Sequence, residues 1–256
     1  MEFTTDDLLQ RQICTSLEQD LFYLAIQPIL DFQTGEIFTG EALARLDHPE
    51  YGVISAEVFT SILDDAGLYS EFDLYIFRKC CLWLELAAKE RIRFDHLFCN
   101  FSRKTLSRPG LPEKLIQIAT SCGVPPGKLG IEITEGKQAT NIGQMIRNLK
   151  QLKSAGFQII LDDYGSGVTS GNDLLNFPLD VVKLDHSLLL NADTSSGETA
   201  FRALVSKLIR LGVKVVCEGI ETEAQDILAR QTGCHYGQGF HYYCPLPQDS
   251  LLELLQ

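Results

Sequence analysis

Apolar runs of strand length alternate with helix-like segments along most of the chain, and this alternation constrains the fold more than any other feature. The runs are Phe22–Leu30, Ile37–Leu46, His96–Phe101, Leu129–Thr134, Phe157–Asp162, Asp180–Leu184, Val213–Cys217 and Tyr236–Tyr243. The helix-like segments are 56–66, 72–90, 111–121, 139–154, 198–211 and 222–231, and an amphipathic helix is predicted over 5–19. Strands that alternate with helices favour a parallel sheet with helices packed outside it.

The number of strand candidates indicates how the sheet is arranged. Eight candidates in 256 residues favour a closed α/β barrel, which commonly occupies about 250 residues as one domain. A doubly wound open sheet stays an alternative, because hydrophobic periodicity does not report closure. We expect residues 1–256 to form a single domain, with residues 1–20 forming a helix that packs on the barrel.

Charge, cysteine content and the first residues restrict the classes of partner and compartment. The 22 basic and 34 acidic residues give a net charge of −12, which repels DNA, RNA and anionic lipid. The N-terminus lacks the pattern of a signal peptide, and no run approaches the ~18 apolar residues of a membrane helix. The eight cysteines form no C-x-x-C pair, which is typical of buried, reduced thiols in a cytoplasmic protein.

Polar and mostly acidic residues stand where the apolar runs end. They are Asn100, Glu132, Glu135, Asp162, Asp163, Lys183, Asp185 and Glu218. A single acid at a strand end is usually a loop residue or a helix cap. Recurrence at successive strand ends indicates a site, because in a barrel these ends meet at one mouth, where catalytic groups lie.

Five of the acids would bring like charges close together, and like charges raise one another's pKa. They are Glu41, Glu132, Asp162, Asp163 and Glu218. Two divalent cations would nearly balance them, and carboxylates without histidine or cysteine suit Mg²⁺ or Mn²⁺. Two such ions about 3.5–4 Å apart can promote phosphoester hydrolysis. Lys183 would orient the water or neutralise the transition state.

A glycine-rich segment follows the Asp162-Asp163 pair. Residues 165–171 read G-S-G-V-T-S-G, a spacing that misses the dinucleotide-binding fingerprint. The preceding acids would also repel a pyrophosphate. We interpret the segment as a mobile loop beside the predicted metals.

Eight short motifs follow one another along the chain. They are Gln27-Pro28-Ile29, Glu41-Ala42-Leu43 with Arg45, Asn100-Phe101-Ser102, Glu132-Ile133-Thr134-Glu135, Asp162 to Gly167, Lys183-Leu184-Asp185, Glu218-Gly219-Ile220-Glu221 and Gln238-Gly239-Phe240. In this order they resemble the motifs of the EAL-domain phosphodiesterases of bacterial cyclic di-GMP signalling, and the resemblance extends from about Tyr23 to Pro247. Leu46 replaces a common tryptophan and segment 168–171 departs from the family pattern, but no departure removes a matching acid.

The resemblance implies a TIM-like (β/α)8 barrel with an irregular, antiparallel first strand. It also implies hydrolysis of cyclic di-GMP to linear pGpG. The implied ligands of two Mg²⁺ or Mn²⁺ ions are Glu41, Asn100, Glu132, Asp162, Asp163 and Glu218. The implied substrate contacts are Gln27, Leu43, Arg45 and Gln238.

Three further roles come from the resemblance. Lys183 would help to activate the water, Asp185 would orient Lys183, and Glu135 would steady the glycine-rich loop. Members of the family are usually dimers and usually domains of larger sensors. A homodimer and a fused or separate sensory domain are therefore expected.

Two other functions stay open. The first is a receptor that binds cyclic di-GMP without cleaving it. The second is a barrel enzyme for another phosphoester, or a protein scaffold, although a scaffold has no need of aligned acids with a lysine.

Overall fold

A computed structural model of the protein describes residues 5–134, 141–166, 171–192 and 194–256. The strands are β1 Phe22–Asp31, β2 Ile37–His48, β3 Gly52–Ile54, β4 His96–Phe101, β5 Leu129–Ile133, β6 Gln158–Tyr164, β7 Val181–Leu184, β8 Lys214–Cys217, β9 Tyr236–Gly237 and β10 Leu246–Pro247. The helices are α1 Thr5–Glu18, α2 Ala56–Asp65, α3 Tyr69–Lys89, α4 Arg103–Leu106, α5 Leu111–Ser121, α6 Ile142–Ser154, α7 Gly171–Asn176, α8 His186–Asn191, α9 Ser195–Arg210, α10 Glu223–Thr232 and α11 Gln248–Leu254.

Eight of these strands close into a barrel. Around the ring the order is β1, β9, β8, β7, β6, β5, β4 and β2, and β2 pairs again with β1. Along the ring from β2 through β4, β5, β6, β7 and β8 to β9, successive strands are parallel, whereas β1 runs antiparallel to both β2 and β9. The predicted barrel with an antiparallel first strand is confirmed, and the open doubly wound sheet is wrong.

The barrel interior is filled by an apolar layer of side chains. Its buried members are Ile29, Phe98, Ile160, Val181, Val216 and Tyr236. Alternate residues of a strand share a face. The residue two positions along the strand from each of these apolar residues therefore also faces the interior of the barrel. Phe98 precedes Asn100 by two residues, Ile160 precedes Asp162, and Val181 precedes Lys183. On the antiparallel β1 the order is reversed, because Ile29 follows Gln27. The apolar layer therefore lies beneath a layer of polar residues at the mouth.

Gly130 allows this apolar layer to close. A Cβ at Gly130 would lie 2.4 Å from Phe98 Cδ1 and 2.6 Å from Ile160 Cδ1. Only a residue without a side chain leaves these two groups room to fill the interior. Two residues later in β5, Glu132 reaches the mouth.

A larger core lies between the barrel and its helices. Phe22, Phe59 and Phe72 meet edge to face in it, with ring centroids 5.1 to 5.6 Å apart. Ile13 of α1 is fully buried in the same core, so the N-terminal helix contributes to it. Among the described residues, no helix has both the length and the apolar character needed to span a bilayer.

The predicted strand Tyr236–Tyr243 is wrong beyond Gly237, where β9 ends. After Gly237, the Gln238 amide still donates to Cys217 O at the end of β8, but the other bonds go to the β8–α10 connection: Ile220 donates its amide to Gln238 O, and His241 donates to Ile220 O. A Cβ at Gly239 would lie 2.1 Å from Ile220 O. This close approach of the two backbones requires glycine at position 239.

Candidate active site

Lys183 stands at the centre of a cluster of carboxylates at the mouth of the barrel. Its Nζ lies 2.8 Å from Glu41 Oε2, 2.5 Å from Glu132 Oε1, 3.1 Å from Asp162 Oδ1 and 2.7 Å from Glu218 Oε1. The Lys183 side chain is 1% exposed. Five strands of the barrel supply these five residues, or the connection directly after the strand, so closure of the barrel is what brings them together.

Amide side chains fix the position of Glu41. Asn100 Nδ2 donates to Glu41 Oε1 at 2.8 Å, and Gln238 Nε2 donates to Glu41 Oε2 at 2.9 Å. Gln238 Nε2 also lies 3.1 Å from Gln27 Oε1, and Gln27 Nε2 donates to Tyr243 O at 3.3 Å. Both oxygens of Glu41 therefore have partners from the protein.

Asp163 has an unusual backbone conformation, which affects the position of its carboxylate relative to that of Asp162. Its φ is +49°, in the left-handed region that residues other than glycine seldom occupy. The pairing of β6 with β7 shifts register between Leu161 and Tyr164. Consecutive residues of a regular strand point to opposite faces. This irregularity permits the carboxylates of Asp162 and Asp163 to come within 4.8 Å of each other and of Glu218.

The cluster holds more acidic than basic groups, and both this imbalance and burial shift the pKa values of its members. Burial raises the pKa of Glu132 and of Glu218 well above the usual range, and neighbouring carboxylates add to the shift. Burial also acts on Glu41, but Lys183 and its two amide partners more than offset it and lower its pKa. Burial would lower the pKa of Lys183, yet the four carboxylates raise it well above its usual value. The four acids therefore favour the ammonium form of Lys183, and its single positive charge faces all four of them.

The cluster fits the binding of hard cations. Two groups of carboxylates have ligand oxygens within 4.8 Å of one another: Glu41, Glu132 and Asp162 in one, and Asp162, Asp163 and Glu218 in the other. Asp162 belongs to both groups. Among the described residues, Glu132 Oε2 and Glu218 Oε2 are buried without a hydrogen-bond partner. Oxygen-only donors of this kind suit Mg²⁺ or Mn²⁺, and these groups could hold them.

The predicted substrate residues on β2 lie in line with the acids. Leu43 and Arg45 follow Glu41 at intervals of two, so all three share a face of the strand. Arg45 Nη1 donates to Ala44 O at 2.9 Å. Arg45 is four residues closer than Glu41 to the C-terminal end of β2, so it lies nearer the rim, and its planar fork suits a phosphate or a guanine edge.

A small cavity of about 170 Å³ adjoins Glu218. It is lined by Gln27, His186, Glu218, Gly219, Glu221, Gln238, Gly239 and Phe240. The sequence interpretation missed His186, whose Nδ1 lies 2.8 Å from Gly219 O. Its position directly after Lys183-Leu184-Asp185 was the available signal, because the ends of barrel strands carry the site.

The contacts described above do not support the predicted roles of Asp185 and Glu135. The carboxylate of Asp185 caps α8, accepting bonds from the amide and the hydroxyl of Ser187, and it is not one of the acids found on Lys183 in the described residues. Its role beside Lys183 stays a prediction. Glu135 and residues 167–170 of the glycine-rich loop lie outside the described residues, so their predicted roles are untested.

Comparison with known proteins identifies the family. The pattern of the EAL domain matches residues 9–245. The chain belongs to the EAL domain family. Among curated proteins it is 30% identical over 252 residues to the cyclic di-GMP phosphodiesterase NbdA of Pseudomonas aeruginosa, covering 97% of this chain and 32% of that protein. It is 31% identical over 244 residues to an uncharacterized signaling protein of Caulobacter vibrioides, covering 95% of this chain and 30% of that protein.

Solved structures of EAL proteins share the barrel. A structure described as the PaMucR phosphodiesterase in complex with c-di-GMP matches with a TM-score of 0.86 at 26% identity, covering 95% of this chain and 99% of that one. An EAL domain protein from Listeria monocytogenes matches with a TM-score of 0.81 at 24% identity, covering 99% and 98%. The chain spans about a third of the length of the curated relatives described above.

Proposed function

We propose that this EAL domain hydrolyses cyclic di-GMP to linear pGpG and needs two divalent cations, Mg²⁺ or Mn²⁺, to do so. The observation that carries the proposal is the pair of carboxylate groups that share Asp162 and surround Lys183. The name of the Pseudomonas relative and the cyclic di-GMP in the complex of the structural neighbour support the choice of substrate.

In this proposal Glu41, Asn100, Glu132, Asp162, Asp163 and Glu218 hold the cations. Bound there, the cations would supply Lewis acidity toward water and the phosphodiester. Water adds its oxygen to phosphorus, the bond from phosphorus to one 3′ oxygen breaks, and that oxygen leaves with a proton. The product is the linear dinucleotide with a 5′-phosphate.

The protein's own groups would have distinct tasks. Lys183 stays protonated because its pKa is raised, so it orients the carboxylates and offsets negative charge that develops at the phosphate. Arg45 would bind a phosphate or a guanine edge through its planar fork. Gln27, Leu43 and Gln238 would position the nucleotide.

The proposal extends to the setting of the domain. We infer that residues 1–256 form one EAL domain and that it acts in the cytoplasm as a homodimer. A fused or separate sensory domain would supply its input signal.

Incubation of the protein with cyclic di-GMP and MgCl₂ or MnCl₂, followed by chromatography, tests the activity. We expect pGpG from the wild type and none above background from Glu132→Gln, because the substitution removes a ligand oxygen's charge. Glu113→Gln on the exposed face of α5 is the matched control and should retain full activity. Tight binding of cyclic di-GMP without pGpG, in the presence of either metal, would contradict hydrolysis and establish the receptor function.

A further inference from the structure

The imidazole of His186 contacts the backbone next to Glu218 at the mouth of the barrel, and the proposed hydrolysis gives it no task. His186 is the first residue of α8. Its Nδ1 lies 2.8 Å from the carbonyl oxygen of Gly219, which directly follows Glu218. The Glu218 carboxylate lies 2.7 Å from Lys183 Nζ and belongs to one of the two carboxylate groups. A histidine side chain therefore holds the chain one residue beyond a predicted metal ligand.

The hydrogen bond fixes which nitrogen of this ring carries a proton. A backbone carbonyl only accepts hydrogen bonds, so Nδ1 of His186 donates to Gly219 O. The partner of a histidine nitrogen sets the tautomer and the orientation of the ring. Within the described ranges of the chain, the side chain of His186 makes no other hydrogen bond. Gly219 O is therefore the group that orients the ring, and the ring in turn restrains Gly219.

The segment 218–220 lies directly after β8 and is tied to the chain on both sides of it. Its first amide donates to Leu184 O at 3.2 Å, at the end of β7, and its last amide donates to Gln238 O at 3.1 Å, after β9. Both of these are bonds between backbone groups. In the described part of the chain, the bond from His186 to Gly219 O is the one that a side chain makes to this segment. It is therefore the restraint that a substitution can remove while the backbone bonds stay.

Glycine at position 219 makes this restraint necessary. Its φ of +65° lies in the left-handed region, and glycine reaches other backbone conformations at little steric cost. A Cβ at this position would lie 2.2 Å from Nδ1 and 2.5 Å from Cγ of His186, so the ring packs directly on the glycine backbone. The contact and the hydrogen bond together restrict a backbone that the glycine would otherwise leave free to rotate.

The backbone of His186 is itself fixed relative to Glu218. Leu184 of β7 pairs with Cys217 of β8 in the ladder. The first of these precedes His186 by two residues, and the second directly precedes Glu218. Asp185 caps α8 through its carboxylate. Strand pairing and the helix cap therefore place the ring beside the segment that it restrains.

The carboxylate of Glu218 needs a fixed backbone because it lies among like charges. Its Oε2 is buried without a hydrogen-bond partner among the described residues, and carboxylate oxygens of Asp162 and Asp163 come within 4.8 Å. Like charges repel at this range. In the metal-free protein this repulsion acts to move Glu218 out of the group, and a mobile backbone would yield to it.

We propose that His186 is a positioning residue for Glu218. By holding Gly219 O, it keeps the Glu218 carboxylate beside Asp162 and Asp163, and it thereby sets the affinity of that group for one divalent cation. The inference rests on the two-cation site of the proposed function. The other group consists of Glu41, Glu132 and Asp162. Since that group lacks Glu218, the effect should be confined to one of the two cations.

Two substitutions of His186 separate the hydrogen bond from the bulk of the ring. His186→Leu removes the donor and keeps a bulky side chain. His186→Asn keeps an N–H donor, because its amide nitrogen is as many bonds from the backbone as Nδ1 is. His241→Leu removes an exposed histidine that lies outside both carboxylate groups, and it is the control. The thermal midpoint of unfolding, measured in EDTA, shows whether each variant is folded.

Calorimetric titration with MnCl₂, in the absence of substrate, measures the affinity for each cation. We expect the wild type and all three variants to bind two cations. His186→Leu should weaken one of them by about tenfold or more, the usual effect of removing a group that orients a metal ligand. The affinity for the other cation should change by less than about threefold, and so should both affinities in His186→Asn and His241→Leu.

Electron paramagnetic resonance of the bound Mn²⁺ gives an independent signature. Two Mn²⁺ ions about 3.5–4 Å apart are magnetically coupled, whereas a single bound ion is not. At a Mn²⁺ concentration where the wild type is coupled, His186→Leu should show the uncoupled ion. Saturating Mn²⁺ should restore both the coupling and pGpG formation in His186→Leu, because Glu218 itself remains. It should not restore Glu218→Gln.

The inference is wrong if His186→Leu is folded and binds both cations with wild-type affinity. It is also wrong if both affinities fall equally together with the thermal midpoint, because His186 would then serve only the fold. A folded His186→Asn that binds as weakly as His186→Leu would exclude the hydrogen bond as the cause. In each of these cases the wild type binds two cations. A wild type that binds fewer would instead refute the two-cation site of the proposed function, and the inference with it.

Discussion

Replacing Lys183 by methionine removes the ammonium group that faces four carboxylates, while it keeps most of the alkyl stem. Removing one partner of a buried ion pair costs about 3–5 kcal/mol, because the other partner is left uncompensated. Lys183 is 1% exposed and contacts Glu41, Glu132, Asp162 and Glu218. We therefore expect the metal-free variant to lose about 3–5 kcal/mol of unfolding free energy at pH 8, and about 10 °C or more in Tm.

Urea denaturation in EDTA, followed by circular dichroism, measures this loss. Lys207→Met removes an exposed lysine from α9 and should change the unfolding free energy by less than about 0.5 kcal/mol. Adding Glu132→Gln to Lys183→Met should recover part of the loss, because it removes one of the uncompensated charges. A saturating concentration of Mg²⁺ should stabilise the variant, by about 2.7 kcal/mol at a hundredfold excess over its Kd.

The reasoning fails if Lys183→Met is as stable as the wild type in EDTA at pH 8. It also fails if Glu132→Gln destabilises the Lys183→Met background further, since that would mean the carboxylates do not repel one another there. At pH 5 the loss should be smaller, because burial and neighbouring acids already favour protonation of Glu132 and raise its pKa.

Two other perturbations test separate parts of the structure. Burial raises the pKa of Asp73 to about 7, so the folded state binds the proton more tightly than the unfolded state and stability falls as pH rises. Relative to Asp73→Asn, which keeps an acceptor for Ser102, the wild type should lose roughly 2 kcal/mol between pH 5 and 7 by urea denaturation; a pH-independent difference would contradict this. Gly219→Ala would place a Cβ 2.2 Å from His186 Nδ1 at a φ of +65°, and should lower both stability and Mg²⁺ affinity. Gly212→Ala, at a φ of +81° with open space, should cost only about 1 kcal/mol; equal losses for the two would refute the packing argument.

The alternation of apolar runs and helices predicts a parallel sheet that is covered on both faces. The number of strand candidates favours a closed barrel, but the alternation is equally compatible with an open sheet. The antiparallel direction of β1 was not readable from periodicity, since an apolar run has no direction, and it came from the resemblance to EAL proteins. The predicted strand Tyr236–Tyr243, which ends at Gly237 in the structure, is a second case in which the local sequence pattern is not sufficient. Tyr236–Tyr243 has strand-like residues, but the backbone of Gly239 packs on Ile220, a tertiary contact.

The candidate site was predicted from residues at strand ends, and the structure brings most of them together. The sequence does not predict how these residues are arranged relative to one another. Strand alternation would separate Asp162 from Asp163, and only the left-handed φ of Asp163 allows both to join one group. The position of Lys183 among four carboxylates follows from closure of the ring, which no local pattern encodes.

Anomalous diffraction from crystals grown with Mn²⁺ tests the central claim most directly. Two peaks about 3.5–4 Å apart are expected. One should be coordinated by Glu41, Glu132 and Asp162, and the other by Asp162, Asp163 and Glu218. At a Mn²⁺ concentration that saturates calorimetric binding, a single peak, or peaks away from these carboxylates, would contradict the two-cation site.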